Sequence, residues 1–434
     1  MPARNAILKR NGLLALSPLA VMVLLFVVLS LFCGGFSKVP LLVVFLCTSA
    51  YALTTLRGMR LEERIRVFSD GAGAPDLLLM VWIFILAGAF ASAAKAMGAI
   101  DAAVALCLWV LPAGMLLPGL FLAGCFVSLS IGTSVGTIVA LVPVAAGLAQ
   151  PSGMAIVLPV AAVVSGAFFG DNLSFISDTT VVATRTQGCQ MRDKFLMNLR
   201  VALPAALLSL LVYAVLGSDT SSSPAVSEGH PAWLVLPYAC VLVTAVLGLN
   251  VVLVLALGIV LTGLLGIGSG AFDLPGWFAA LCDGIGAMGE LIIVSMLAGG
   301  LLAVMRRGGG ITWLMRRLTR HVRTPRGAQI SIAALVSLTN VCTANNTVAI
   351  LSVGALAHDI SVRFGIDPRR TASVLDSFSC VVQGLLPYGA QLLIAAGLSG
   401  VAPGGLIPYL SYPALLGLCM LAAILWPGRR RIVS

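Results

Sequence analysis

The sequence predicts an all-α polytopic membrane protein, built as two inverted-topology repeats with re-entrant hairpins and broken helices. Three observations lead there. Of the 434 residues, 59% are hydrophobic and only 10% charged, against about 25% charged in soluble domains. The mean hydropathy is +1.07, and the apolar residues fall in runs of membrane-spanning length. The halves also match one another in order. Such a composition excludes a soluble enzyme and a disordered chain. The net charge of +10 does not imply a nucleic-acid partner. The basic residues cluster in short segments between apolar runs, as cytoplasmic loops of membrane proteins do. Ten cysteines are scattered without a CxxC pair, and His230, His321 and His358 lie at loop positions. No metal centre and no cofactor is expected.

The first apolar run spans 13–33, behind Arg4, Lys9 and Arg10. It exceeds a signal-peptide core of about 7–15 residues, so it reads as an uncleaved helix. Simple spans follow at 40–56, 76–96, 203–217, 232–248, 249–267, 285–305 and 406–426. Four runs do not fit one helix each: 112–149, 154–183, 327–357 and 370–399. A continuous helix over 112–149 would measure about 57 Å at ~1.5 Å per residue, and the hydrocarbon core is only about 30 Å thick. Breaks are therefore expected at the polar stretches 132–137 and 343–347.

Orientation follows from Lys and Arg. Arg57, Arg60, Arg64 and Arg66 mark one cytoplasmic loop. Arg185, Arg192, Lys194 and Arg200 mark a second, and the arginines from Arg306 to Arg326 a third. Arg363, Arg369 and Arg370 mark a fourth, and Arg429 to Arg431 put the C-terminus inside. Segments 218–230 and 268–283 lack Lys and Arg and read as external, as does the loop of Lys95 and Asp101. The run 327–357 then starts and ends inside, and 112–149 starts and ends outside. The expectation is a first repeat over 1–217, an external linker at 218–231 and a second repeat over 232–434. The protein would be multi-pass in the cell (inner) membrane, in contact with the lipid bilayer, with both termini cytoplasmic.

Three matches between the halves support the repeat. Thr133-Ser134-Val135-Gly136-Thr137 resembles Thr343-Ala344-Asn345-Asn346-Thr347 at an offset of 210, from 133 to 343. Asp171 pairs with Asp376 at 205, which also sets Asp178 against Gln383. Leu203-Pro204-Ala205 resembles Tyr412-Pro413-Ala414 at 209. Inverted repeats are common in secondary transporters, whose sites lie at the repeat interface on broken helices.

The densest polar stretch inside an apolar run extends from Ser165 to Thr180. Asp171 and Asp178 are seven residues apart, about two helical turns, with Asn172, Ser174, Ser177 and Thr179 close by. An Asp at the bilayer centre costs about 2.5–3.5 kcal/mol on insertion scales, which packing alone would not justify. A hard cation such as Na⁺ prefers carboxylate, hydroxyl and carbonyl oxygens. Gly170 is expected to permit local unwinding that frees carbonyls. A plainer reading has Ser177 or Asp178 capping the next helix. Asp376 and Gln383 extend this cation/proton-binding set into the second half. Thr133, Ser134, Thr137, Thr343, Asn345, Asn346 and Thr347 are the expected substrate contacts at the hairpin tips, where interhelical hydrogen bonding is the alternative role. Glu290 opens an apolar run, as an interfacial charge or a gate.

Gly170-Asp171 through Ser177-Asp178-Thr179-Thr180 resembles the signature of the NhaC family of sodium/proton antiporters. The resemblance covers most of the chain. It implies an all-helical transporter, not an enzyme, that exchanges Na⁺ for H⁺ by alternating access. The sequence departs from the usual pattern at Asn172-Leu173-Ser174-Phe175, where relatives often carry a Lys and a Pro. Some relatives exchange organic acids, such as malate for lactate. Secondary cation/proton antiport is therefore the leading expectation, with Na⁺ and H⁺ as partners and a homodimer as a candidate assembly. An organic-anion or amino-acid exchanger is the alternative. The absence of a Lys or Arg within the apolar runs weighs against a dianion. Phe168-Phe169-Gly170-Asp171 lacks the first Gly of an intramembrane aspartyl protease motif, and no HExxH occurs.

Overall fold

The computed structural model describes residues 2–33, 39–110, 113–174, 177–218, 231–319 and 323–426. The expected linker 218–231 lies almost wholly outside the described residues, as do His230, His321, Arg320 and Arg429 to Arg431. Among the described residues there is no strand. The first five helices are α1 (Pro2–Cys33), α2 (Leu41–Thr55), α3 (Leu61–Ala72), α4 (Pro75–Ala96) and α5 (Ala99–Val110). A first core group follows: α6 (Leu116–Ile131), α7 (Ser134–Ala149), α8 (Val157–Leu173), α9 (Asp178–Gln187) and α10 (Met191–Gly217). Then come α11 (Leu236–Val246), α12 (Val251–Gly268), α13 (Leu274–Ala287), α14 (Gly289–Arg307) and α15 (Gly310–Thr319). The second core group is α16 (Pro325–Thr343), α17 (Asn346–Arg363), α18 (Pro368–Leu385), α19 (Ala390–Ser399), α20 (Pro403–Leu406) and α21 (Ser411–Leu425).

Among the described residues, seven helical runs are long and apolar enough to cross a membrane, or eight if the pair bent by 54° at Leu410 counts as one span. Helix α10 shows why the chain is a membrane protein. Leu207, Leu211 and Val215 are each about three-fifths exposed, while Ala205, Ser209 and Tyr213 are buried. The outward stripe is apolar at helical spacing, a surface suited to an apolar surrounding rather than to water.

All four long runs are broken, as their length required. The tips are narrower than the sequence suggested. Gly132 closes α6 at φ 77°, and Thr133 is extended before α7. Ala344 closes α16 at φ 50°, and Asn345 is extended before α17. Ser134 to Thr137 and Asn346 to Thr347 are already helical.

These matching caps set the two core groups in register at an offset of 212, from Gly132 to Ala344, rather than 210. The offset holds without a slip through four more points. Ser174 caps α8 as Leu386 caps α18, and Asp178 begins α9 as Ala390 begins α19. The left-handed Gly188 ends α9 as Gly400 ends α19, and α10 starts at Met191 as α20 starts at Pro403. Asp171 therefore corresponds to Gln383, Asp178 to Ala390 and Asp376 to Val164. The sequence matches mislead because they align identical letters, whereas the two groups share the positions of their breaks. The groups are interlaced: α7 packs on α19, and α17 packs on α9.

Other expectations change as well. Lys95 lies in the last turn of α4 and Asp101 in the first turn of α5, so they flank a short connection and are themselves helical rather than in a loop. The segment 268–283 contains most of α13, and Asp273 caps that helix by accepting from Gly276 N at 2.8 Å. Gly170 does not unwind its helix. Ser174 N donates to Gly170 O at 2.7 Å, and the break comes after Ser174. Gly170 instead permits contact: a Cβ there would lie 2.3 Å from Leu129 N. Gly166 is held as tightly against Phe121 O, and Gly124 lies against Val163 O. This small-residue seam lets α6 and α8 approach backbone to backbone.

Candidate functional site

Four chain breaks converge on Asp171. It sits in the last turn of α8, 6% exposed. Ser177, in the α8–α9 break, donates its hydroxyl to Asp171 Oδ1 at 2.7 Å. Ser134, first residue of α7, donates to Oδ2 at 2.9 Å. Asn346, first residue of α17, reaches the same oxygen through Nδ2 at 3.4 Å. The fourth break contributes through amides. Gln391 in the first turn of α19 donates to Ser134 Oγ at 3.1 Å and accepts from Gln383 Nε2 at 2.8 Å. Gln383 also donates to the Ala344 carbonyl at the hairpin tip, at 3.1 Å. Both hairpins and both broken helices are thus tied into one polar network. No Lys or Arg is paired with Asp171 among the described residues.

Ser177 occupies the N-cap position of α9 without making a side-chain cap bond. Its hydroxyl serves Asp171 and contacts Thr179 Oγ1 at 2.9 Å. Asp178 is exposed, and it lines the same cavity of about 530 Å³ as Asp171. The cavity wall also includes Thr133, Asn345, Thr347 and Gln391. A second cavity of about 760 Å³ runs from Asp70, Arg306 and Arg307 to Tyr388. Met80, Ala344, Asn345, Val348 and Ala390 line both cavities, so the α16–α17 tip is part of the partition between them.

Other expected contacts serve the backbone. Thr137 donates to Thr133 O, Thr343 to Asn345 O, and Ser174 to Leu129 O. Asn345 caps α17 by accepting from Val348 N, and Asn346 Oδ1 accepts from Thr347 N. Glu290 is exposed in the first turn of α14, as an interfacial charge would be.

Asp376 departs most from expectation. It is fully buried and forms an ion pair with Lys194, Nζ to Oδ2 at 2.5 Å. Asn198 and Asn172 donate to that oxygen at 2.9 and 3.1 Å. The sequence places Lys194 in a cytoplasmic loop and leaves the membrane interior free of lysine. The structure corrects the loop: Lys194 lies in the first turns of α10, with a side chain only 1% exposed and turned into the protein. Sequence reasoning misses it because it stands among Arg192, Asp193 and Arg200, which look like loop. Lys194 and Asn198 are four residues apart on one helical face, which is the available signal. Gln391 is missed too, although it is a lone amide in an apolar run.

The Na⁺/H⁺ antiporter family model matches residues 9–218 and 228–426, nearly the whole chain. The chain belongs to the Na⁺/H⁺ antiporter family. This antiporter is similar to the "Na(+)/H(+) antiporter NhaC" of Alkalihalophilus pseudofirmus, 27% identical over 68% of this chain and 69% of that protein. The "Na(+)/H(+) antiporter NhaC" of Bacillus subtilis is 23% identical over 78% of this chain and 81% of its own length. The "Malate-2H(+)/Na(+)-lactate antiporter" of the same organism is 20% identical, over 68% and 70%.

Proposed function

We propose that this antiporter exchanges Na⁺ for H⁺ at Asp171, with Ser134, Ser177 and Asn346 as its immediate ligands. The observation that carries this reading is the contrast between two buried carboxylates. Asp376 has a lysine for neutralisation. Asp171 has only hydroxyls and amides, and it borders a cavity. A buried carboxylate without a fixed counter-charge must take up a proton or a cation. The two cannot share it, which couples their fluxes. Hydroxyls serve either occupant, because they donate to the bare carboxylate and can turn a lone pair toward Na⁺. Asn346 and Gln391 can likewise present an amide oxygen. Asp178 at the cavity wall draws cations inward.

Two cavities on either side of the α16–α17 tip support alternating access, with the tip region moving between them. The basic segments and the constant 212-residue register support two inverted repeats within a cell-membrane protein whose termini are cytoplasmic. The Asp193–Arg369 contact at 3.8 Å joins two segments assigned to the same cytoplasmic side. Reconstituted protein should acidify or alkalinise liposomes when Na⁺ is added under a pH gradient. Folded protein giving no Na⁺-dependent proton movement contradicts the reading. Organic-anion exchange is the weaker reading. A carboxylate substrate wants a cationic partner, and the three Nζ hydrogens of Lys194 are committed to protein oxygens. Labelled malate uptake without Na⁺ movement would favour it.

A further inference from the structure

The surroundings of Lys194 have the chemistry of a cation site. Its ammonium faces the Asp376 carboxylate, the Asn172 main-chain carbonyl at 2.7 Å and the Thr180 hydroxyl at 2.6 Å. Carboxylate, carbonyl and hydroxyl oxygens are the donor types that a hard cation takes. Asn172, Thr180, Asp376 and Asn198 are all at most 1% exposed. Asp376 Oδ1 and Asn198 Oδ1 have no hydrogen-bond partner among the described residues, so these two side chains, joined through Asn198 Nδ2 and Asp376 Oδ2, each keep one buried oxygen unsatisfied beside the ion pair. The site abuts the first one directly: Asn172 follows Asp171, and Thr180 lies on the helix that begins after Ser177.

We infer that Lys194 is a tethered cation filling a second cation site beside Asp171, and that it thereby limits the antiporter to a single exchanged Na⁺. This rests on the reading of Asp171 as the exchanging carboxylate. An ordinary structural ion pair would stabilise the α8–α10–α18 packing and no more. A tethered cation has a further consequence. When the lysine is shortened, the buried Asp376 charge is uncompensated, and the oxygen cage is free to accept Na⁺.

The test uses full-length protein with radioactive Na⁺ binding and the Na⁺ dependence of transport in proteoliposomes. Wild type should bind one Na⁺ per chain and show a Hill coefficient of about 1, as a single site requires. Lys194→Ala should bind a second Na⁺ and raise the Hill coefficient toward two. Lys194→Ala/Asp376→Asn, with both charges gone, should return to one. If Lys194→Ala folds poorly, Na⁺ should restore its yield of monodisperse protein where choline does not. A folded Lys194→Ala that still binds one Na⁺, or a misfolded one that Na⁺ does not rescue, overturns the inference. Loss of all Na⁺ binding in wild type and in the double variant would instead overturn the assignment of Asp171.

Discussion

Asp171 and Asp376 are both buried aspartates in the core helix groups, yet they have opposite chemical fates. One is shared among hydroxyls and amides and the other is bound to a lysine. Which is which is not legible from sequence, because the decisive neighbours come from other helices. Ser177→Ala removes the 2.7 Å donor to Asp171 Oδ1. The loss of one such contact, about 1.4 kcal/mol, should raise the Na⁺ concentration for half-maximal transport about tenfold. An unchanged value in a transport titration would exclude Ser177 as a ligand. Asp178 is exposed, so Asp178→Asn should act mainly through attraction. Its defect should shrink as ionic strength is raised with an untransported salt, and a defect independent of salt would assign Asp178 a direct ligand role.

The helix breaks were legible because geometry forced them. A run of 38 residues at 112–149 cannot cross a bilayer as one helix, and polar residues marked where it must turn. The register was not legible, since the tips share backbone angles rather than letters. Gly132 and Ala344 illustrate this: both are left-handed, but only one is glycine. A left-handed backbone costs an L-residue roughly 1–2 kcal/mol, and glycine offsets part of that gain through its greater loss of entropy on folding. Ala344→Gly should therefore stabilise the protein by about 0.5–1 kcal/mol, read as a higher midpoint of thermal unfolding in detergent. A lower midpoint would show that the tip needs the alanine methyl. On the α6–α8 seam, Gly170→Ala puts a Cβ against the Leu129 and Ser128 backbone. Overpacking of this kind costs about 1–3 kcal/mol. It would also shift Asp171, one residue away, so transport should fall in protein that remains folded. Full transport at normal stability would mean the seam can yield.

Across the whole molecule, the sequence carried the fold class because lipid imposes it: a chain with so few charges must satisfy its backbone within helices. The basic segments support the proposed orientation, but reading every lysine as a loop residue misses that Lys194 is helical and buried. Cysteines introduced at Arg185 and Arg363, in a chain whose native cysteines are replaced by serine, should both react with an impermeant thiol reagent from the cytoplasmic side. One at Gly270 should react from the opposite side. Labelling of the Arg185 and Arg363 positions from different sides would contradict the proposed inverted arrangement. The exchange itself is tested most directly by Asp171→Asn in proteoliposomes. The variant keeps the side-chain shape and removes the charge. Na⁺-driven proton movement should fall to the level of protein-free liposomes at every pH, while the variant remains folded and monodisperse. Exchange at the wild-type rate would show that the ion is carried elsewhere.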